Sequence, residues 1–288
     1  MDYRPSRFQV SKVYAKRAIR WRRNSAPFIS GDSFADFADV VINPPKFRGN
    51  SPSLNEIKRA SIIFIRSHDL KGFLAEYKGM LSAKVIISGN SDHEFHNYDL
   101  EIPAKTRLLL LQNSYLLEDS RIKTIPIGIE NFRFGVNGHP NVIRQLSSIP
   151  DKKVLIGPYS NTHPVRSEVI SRFENFVGPW TILTTRKTPE ELNYIANTHE
   201  FTAAVRGNGV DTHRLWETLY RGRMPICQSD DWLRSLGALN LPMLEVTDWD
   251  PREVNELLLN YSFESFDPLS LEALWMPYWE RMIRKMCL

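Results

Sequence analysis

Thiols are scarce. Cys227 and Cys287 are the only two in 288 residues, and nothing in their spacing suggests a disulfide framework. No Cys/His cluster has zinc-finger spacing either, so two reduced cysteines are the simplest reading. Long apolar runs are also missing. No stretch approaches the 18 or so consecutive apolar residues of a membrane-crossing helix. The opening Met1-Asp2-Tyr3-Arg4-Pro5 is not followed by the apolar core of a secretory signal. The expectation is a cytoplasmic protein. There is no internal repeat, no low-complexity tract, no Gly-x-Ser-x-Gly elbow and no Walker lysine. The seven tryptophans form no stacking module for bases, so no nucleic-acid partner is expected.

What remains is an ordinary globular composition, 42% hydrophobic and 24% charged. At about 150 residues per domain the length suggests two domains. A chain of this size buries roughly 70–75% of its extended surface and needs no staple. The net charge of +4 is concentrated at the start. Arg4, Arg7, Lys12, Lys16, Arg17, Arg20, Arg22 and Arg23 face only Asp2 before residue 25, and without that segment the remainder is slightly acidic. Such an arm is either a solvated face or a contact for an anionic surface.

Short β-branched runs alternate with helical periodicity, which argues for α/β architecture with parallel sheets. In the first half, strands are expected at 61–65, 84–87, 107–111 and 122–127, with a helix around Leu70 to Tyr77. Residues 132–150 read as a crossing. The second half restarts the pattern with strands at 153–157, 181–184, 201–205, 224–227 and 243–246. Thr188-Pro189-Glu190-Glu191 is a capping box with proline at the first helical position. A last aromatic helix runs from about Leu271 to Met286, bent by Pro277 and read as core or domain-bridging. The organisation expected is two Rossmann-like domains, 1–140 and 141–288, with the basic arm on the first. Ligands in such sheets lie beyond the carboxyl ends of the strands.

The segment from Val205 to Glu217 is the richest in chemistry. A strand ends, Gly207 and Gly209 turn the chain, and Asp211 or Thr212, both counted among the expected donor-binding residues, caps a helix. His213 and Arg214 then occupy the first turn, where the macrodipole disfavours cations. An anion bound at the helix start reverses that penalty, and glycines let backbone N–H groups approach it. The expectation is a diphosphate held by Arg206, Gly207, Asn208, Gly209 and Arg214, with Glu217 accepting hydrogen bonds from ribose hydroxyls. The plainer alternative is that Glu217 pairs with Arg214 and Arg221 on the helix surface.

Arg206-Gly-Asn-Gly-Val-Asp-Thr-His-Arg-Leu-Trp-Glu217, followed by Gly222-Arg-Met-Pro-Ile226, resembles the C-terminal motif of exostosin-like glycosyltransferases. The likeness spans residues 201–228, with weaker echoes at Ile29–Ser33 and Ile125–Glu130. It implies a GT-B fold, in which two Rossmann-like domains face a nucleotide-sugar cleft. It also implies that the C-terminal domain holds the donor and that Glu217 contacts its ribose. Many retaining GT-B enzymes carry a second Glu eight positions earlier. Gly209 stands there, which leaves the stereochemistry open.

Asn161, in Tyr159-Ser-Asn-Thr-His163, and Arg166 after it form a second expected donor-binding loop. Thr185, Arg186 and Lys187 are either a polar loop or neighbours of the base or phosphate. Removal of the acceptor proton is assigned to Asp92, just past a strand end, with His93 beside it. His96, Asp32 and the His68-Asp69 pair are alternatives. Asp248-Trp249-Asp250 looks like a metal-binding Asp-x-Asp, but Asp250 with Pro251 and Glu253 reads better as a helix cap. No metal or other cofactor is expected. The partners expected are a nucleotide diphosphate-sugar and a saccharide or glycolipid acceptor, with possible peripheral membrane contact through the arm. An epimerase or hydrolase of nucleotide sugars, and a non-catalytic binding module, stay open on the same scaffold.

Overall fold

The computed structural model describes residues 25–44, 50–96, 100–115, 119–134, 140, 143, 146 and 149–288. The basic arm lies outside them, as does most of the expected crossing. Two five-stranded parallel sheets with interleaved helices make an α/β layout of two units.

The first sheet has the order β1-β2-β3-β4-β5, from Val40–Val41, Ile62–Arg66, Val85–Gly89, Leu108–Leu111 and Ile122–Thr124. Side chains alternate across it, as the strand repeat requires. Ile62, Phe64, Val85, Ile87, Leu108 and Leu110 face one core, while Ile63, Ile65, Ile86, Leu109 and Leu111 face the other. The second core also takes Leu70, Phe73 and Leu74 from helix α3, Ser67–Tyr77. Short helices α1, Gly31–Phe37, and α2, Leu54–Arg59, precede it.

The second sheet has the order β10-β9-β8-β6-β7. Its strands are β6 Lys152–Ile156, β7 Trp180–Ile182, β8 His199–Ala203, β9 Met224–Gln228 and β10 Leu244–Val246. The helices between them are α4 Pro164–Glu174, α5 Pro189–Asn197, α6 His213–Tyr220, α7 Asp231–Ser235 and α8 Pro251–Asn260. The expected capping box forms at Thr188 and Glu191. β6 has β7 on one side and β8 on the other, so the chain reverses its winding between β6 and β8. That reversal opens a crevice beyond the carboxyl ends of those two strands.

The last helix, α9 Met276–Cys287, packs away from the second sheet. Met276, Trp279 and Ile283 enter the first sheet's core beside Phe34 and Phe64. Pro277 does not bend it, contrary to expectation. It occupies the first turn, where the missing N–H costs nothing. A further cluster joins the units. It packs Ile129 of the first with Leu215, Trp216 and Leu219 of α6 and with Trp275. The Tyr220 hydroxyl accepts from the Ile29 N–H at 3.0 Å.

Candidate functional site

A cavity of about 510 Å³ lies where that crevice meets the first unit. Loops after β6, β7 and β8, with Arg186 and Lys187 on the second of them, and the starts of α5 and α6 supply one wall. Asp92, after β3, and Ile127 and Glu130, after β5, supply the other. The volume falls within the range of small-ligand sites.

The turn before α6 is held from the first unit. Asn113 Oδ1 accepts from the Asp211 N–H at 3.0 Å, and Asn113 Nδ2 donates to the Ser91 carbonyl at 3.2 Å. A Cβ on Gly209 would lie 2.8 Å from that amide nitrogen, so glycine is required by the close approach. Thr212 caps the helix, its hydroxyl accepting from the Arg214 N–H at 3.1 Å. The Asp211 carboxylate is buried. It accepts from the Ile127 N–H and from Trp216 Nε1, each at 2.7 Å. Burial nevertheless pushes its pKa up to about 7 against those two donors. Asp211 borders the cavity, but both its oxygens tie α6 to the loop after β5.

Arg214 lines the cavity and donates to the carbonyls of Gly157 at 2.9 Å and Pro158 at 3.2 Å. Glu217 lies one turn on, 3.9 Å from Arg214 and 3.7 Å from Arg221. The pairing foreseen as the plain alternative is therefore present, while the carboxylate still borders the cavity. Arg221 is buried and donates to Asn193 Oδ1 at 2.9 Å. Burial lowers its pKa to about 10, with Glu217 opposing that fall.

Arg166 braces the second loop. Its Nε donates to the Arg206 carbonyl at 2.9 Å, and its other nitrogens reach Ser160, Thr162 and Val205. It lies over the Tyr159 ring, 5.4 Å from the centroid, and burial lowers its pKa. A Cβ on Gly207 would meet this guanidinium at 2.9 Å. The Tyr159 hydroxyl donates to the Ala203 carbonyl at 2.9 Å, and burial raises its pKa to about 12.

Eight of the ten residues expected to bind the donor border the cavity: Gly207, Asn208, Gly209, Asp211, Thr212, Arg214, Glu217 and Arg166. Arg206 and Asn161 do not. The Arg206 guanidinium turns to Glu94 of the first unit, at 2.5 Å. Asn161 is exposed on the loop. Asp92 stands at the rim, its Oδ2 accepting from Asn208 Nδ2 at 3.3 Å. His93 is exposed and lies outside the lining, its ring edge-on to Phe95 at 4.9 Å. The alternative bases are not in the lining either. His96 stacks on Tyr115 at 4.3 Å, Asp32 is buried in a network with Arg133 and Asn90, and His68 and Asp69 open α3. Asp250 caps α8, accepting from the Arg252 N–H at 2.8 Å, and Asp248 pairs with Arg172 at 2.8 Å.

Two titratable lining residues were given no site role by the sequence reasoning. Glu130 carries a buried Oε2 with no hydrogen-bond partner. His213 lines the cavity, and its Nδ1 is 2.7 Å from the Gly128 carbonyl. The Ile125–Glu130 segment was visible only as a weak family echo, and His213 only as a cation in a first turn.

No family model matches the chain, and no curated protein sequence matches it. Among solved structures, one match is the crystal structure of CalG4, the calicheamicin glycosyltransferase. Identity is 10% and the TM-score 0.29, over 79% of this chain and 70% of that one. A likeness at that level carries no argument about function.

Proposed function

We propose that this protein is a glycosyltransferase of GT-B type. It takes a nucleotide diphosphate-sugar as donor and a hydroxyl of a saccharide or glycolipid as acceptor. The observation that carries the reading is the cavity at the winding reversal of the second sheet, where the Gly207–Gly209 turn, the N-terminus of α6, Arg214 and Arg166 converge. Helix N-termini and guanidinium groups are the fold's means of holding a diphosphate. The same groups stabilise the charge that collects on the leaving diphosphate, so the reading requires no metal ion.

In this reading Arg214 and the turn from Gly207 to Gly209 hold the phosphates, with Asn208 at the rim and Thr212 fixing the helix start. Arg206 joins them when a diphosphate displaces Glu94. Arg166 ties the loop after β6 to the loop after β8, Asp211 ties α6 to the first unit, Asn161 lies at the loop edge, and Glu217 receives ribose hydroxyls. The sugar then points toward the first unit, with Asp92 on that side and His213 on the facing helix as lining groups able to accept a proton.

Thermal unfolding with UDP, GDP, CDP and dTDP tests this. At a hundred times its dissociation constant, the cognate diphosphate raises stability by about 2.7 kcal/mol. Arg214→Gln removes most of that gain, read against the variant's own unliganded Tm. Arg214 is the better target than Glu217, whose removal also strips buried Arg221 of its counter-charge. No stabilisation of the wild-type protein by any of the four would reject the reading. The basic arm brings the enzyme to anionic lipid where glycolipid acceptors lie. Deleting residues 1–24 is expected to abolish binding to phosphatidylserine vesicles, and unchanged binding would sink that part.

A further inference from the structure

We infer that His213, through Nε2, is the group that takes the proton from the acceptor hydroxyl. The inference rests on the glycosyl-transfer reading and specifies which residue activates the acceptor.

A carbonyl oxygen only accepts hydrogen bonds. The 2.7 Å contact of His213 Nδ1 with the Gly128 carbonyl therefore places the ring hydrogen on Nδ1. In the neutral ring this leaves a lone pair on Nε2. No other hydrogen bond of His213 is formed among the described residues, and this half-buried residue borders the cavity. The partner that fixes the ring belongs to the first unit, and the helix that carries it belongs to the second. His213 thus sits between the proposed diphosphate end and the acceptor side. A base held in one tautomer by a third group is the arrangement that activates a hydroxyl nucleophile.

The other lining carboxylates are less well placed. Asp92 Oδ2 is 3.3 Å from Asn208 Nδ2 at the exposed rim. Both Asp211 oxygens are occupied by N–H donors. Glu217 faces two arginines. Glu130 Oε2 is unpartnered but closed off from solvent, so a hydroxyl does not reach it in this geometry. In the transfer step, the acceptor oxygen forms a bond to the anomeric carbon. The bond from that carbon to the diphosphate oxygen breaks, its electron pair leaving with the nucleoside diphosphate. The acceptor's proton passes to Nε2.

His213→Asn tests this. The asparagine amide nitrogen overlies Nδ1 and keeps the bond to Gly128, while nothing replaces Nε2. Wild type and variant would be given UDP-glucose, UDP-N-acetylglucosamine, GDP-mannose and GDP-fucose with a panel of p-nitrophenyl glycosides, and released nucleoside diphosphate measured. The expected result is a fall in kcat of about 10²–10⁴-fold with the diphosphate-induced thermal shift retained. His213→Gln, which also lacks a ring base, serves if the first variant folds poorly and should lose turnover alike. Turnover within tenfold of wild type in either folded variant overturns the inference and leaves the glycosyl-transfer reading standing. So does loss of turnover in Asp92→Asn with His213→Asn still active. A wild-type protein that neither binds nor consumes any donor defeats both.

Discussion

Gly128→Ala is expected to destabilise the protein by about 2–5 kcal/mol and to abolish its response to nucleoside diphosphates. Two effects add. Gly128 has φ +67°, in the left-handed region, where a Cβ costs about 1–2 kcal/mol. The Cβ would also lie 2.1 Å from the Ile29 carbonyl oxygen. That atom is backbone, and it is already held by the Ile129 N–H at 2.9 Å, so it does not move aside cheaply. Overpacking of this kind adds about 1–3 kcal/mol. The functional consequence follows from the neighbours. The Gly128 carbonyl holds His213, and the preceding N–H, of Ile127, holds Asp211. A shifted loop loosens both ties between the first unit and α6. Gly72→Ala is the matched control. Gly72 lies inside α3 with nothing within 4 Å of its Cβ position, so alanine should stabilise by about 0.4–1 kcal/mol. Urea denaturation of both variants decides the matter. Equal, small effects would show that the loop yields freely.

Sequence legibility followed locality. Strands β2 and β3 announced themselves because Ile62–Arg66 and Val85–Gly89 are rich in β-branched residues and buried on both faces. Thr188 and Glu191 announced α5 because a capping box is a contact over three residues. The Gly207–Gly209 turn and its helix were legible for the same reason. β1 was not, since Val40–Val41 is only two residues long and gains its strand character from pairing with Ile63 and Phe64. The aromatic C-terminal helix showed that one face is buried, but periodicity does not say against which sheet. The site was half legible. Residues on one loop came together as expected, but contacts between units were hidden by sequence distance. Arg206 turned to Glu94, 112 residues away, and His213 found its partner 85 residues back. A cation at a helix start is a local signal. The distant carbonyl that orients this ring is not.

Raising the pH from 4 to 8 is expected to erode a contribution of about 4 kcal/mol that Asp211 makes to stability. Burial lifts its pKa from 3.8 to about 7 in the folded protein. A folded-state value above the unfolded one means the native protein binds the proton more tightly. The contribution is therefore fully present below pH 3.8, falls as pH climbs toward 7, and is gone above. About three pH units at 1.36 kcal/mol each set the size. Other groups titrate in the same window, so the quantity to measure is the difference between wild type and Asp211→Asn, by urea denaturation at pH 4, 5, 6, 7 and 8. That difference should shift against the wild type by about 4 kcal/mol across the series and stay level from pH 7 to 8. A difference independent of pH would mean that the Ile127 and Trp216 donors hold the carboxylate ionised throughout. The outcome bears on the site, because this carboxylate ties the loop that orients His213 to the helix that carries it. If the burial cost wins, ionisation of Asp211 weakens that tie as the pH passes about 7.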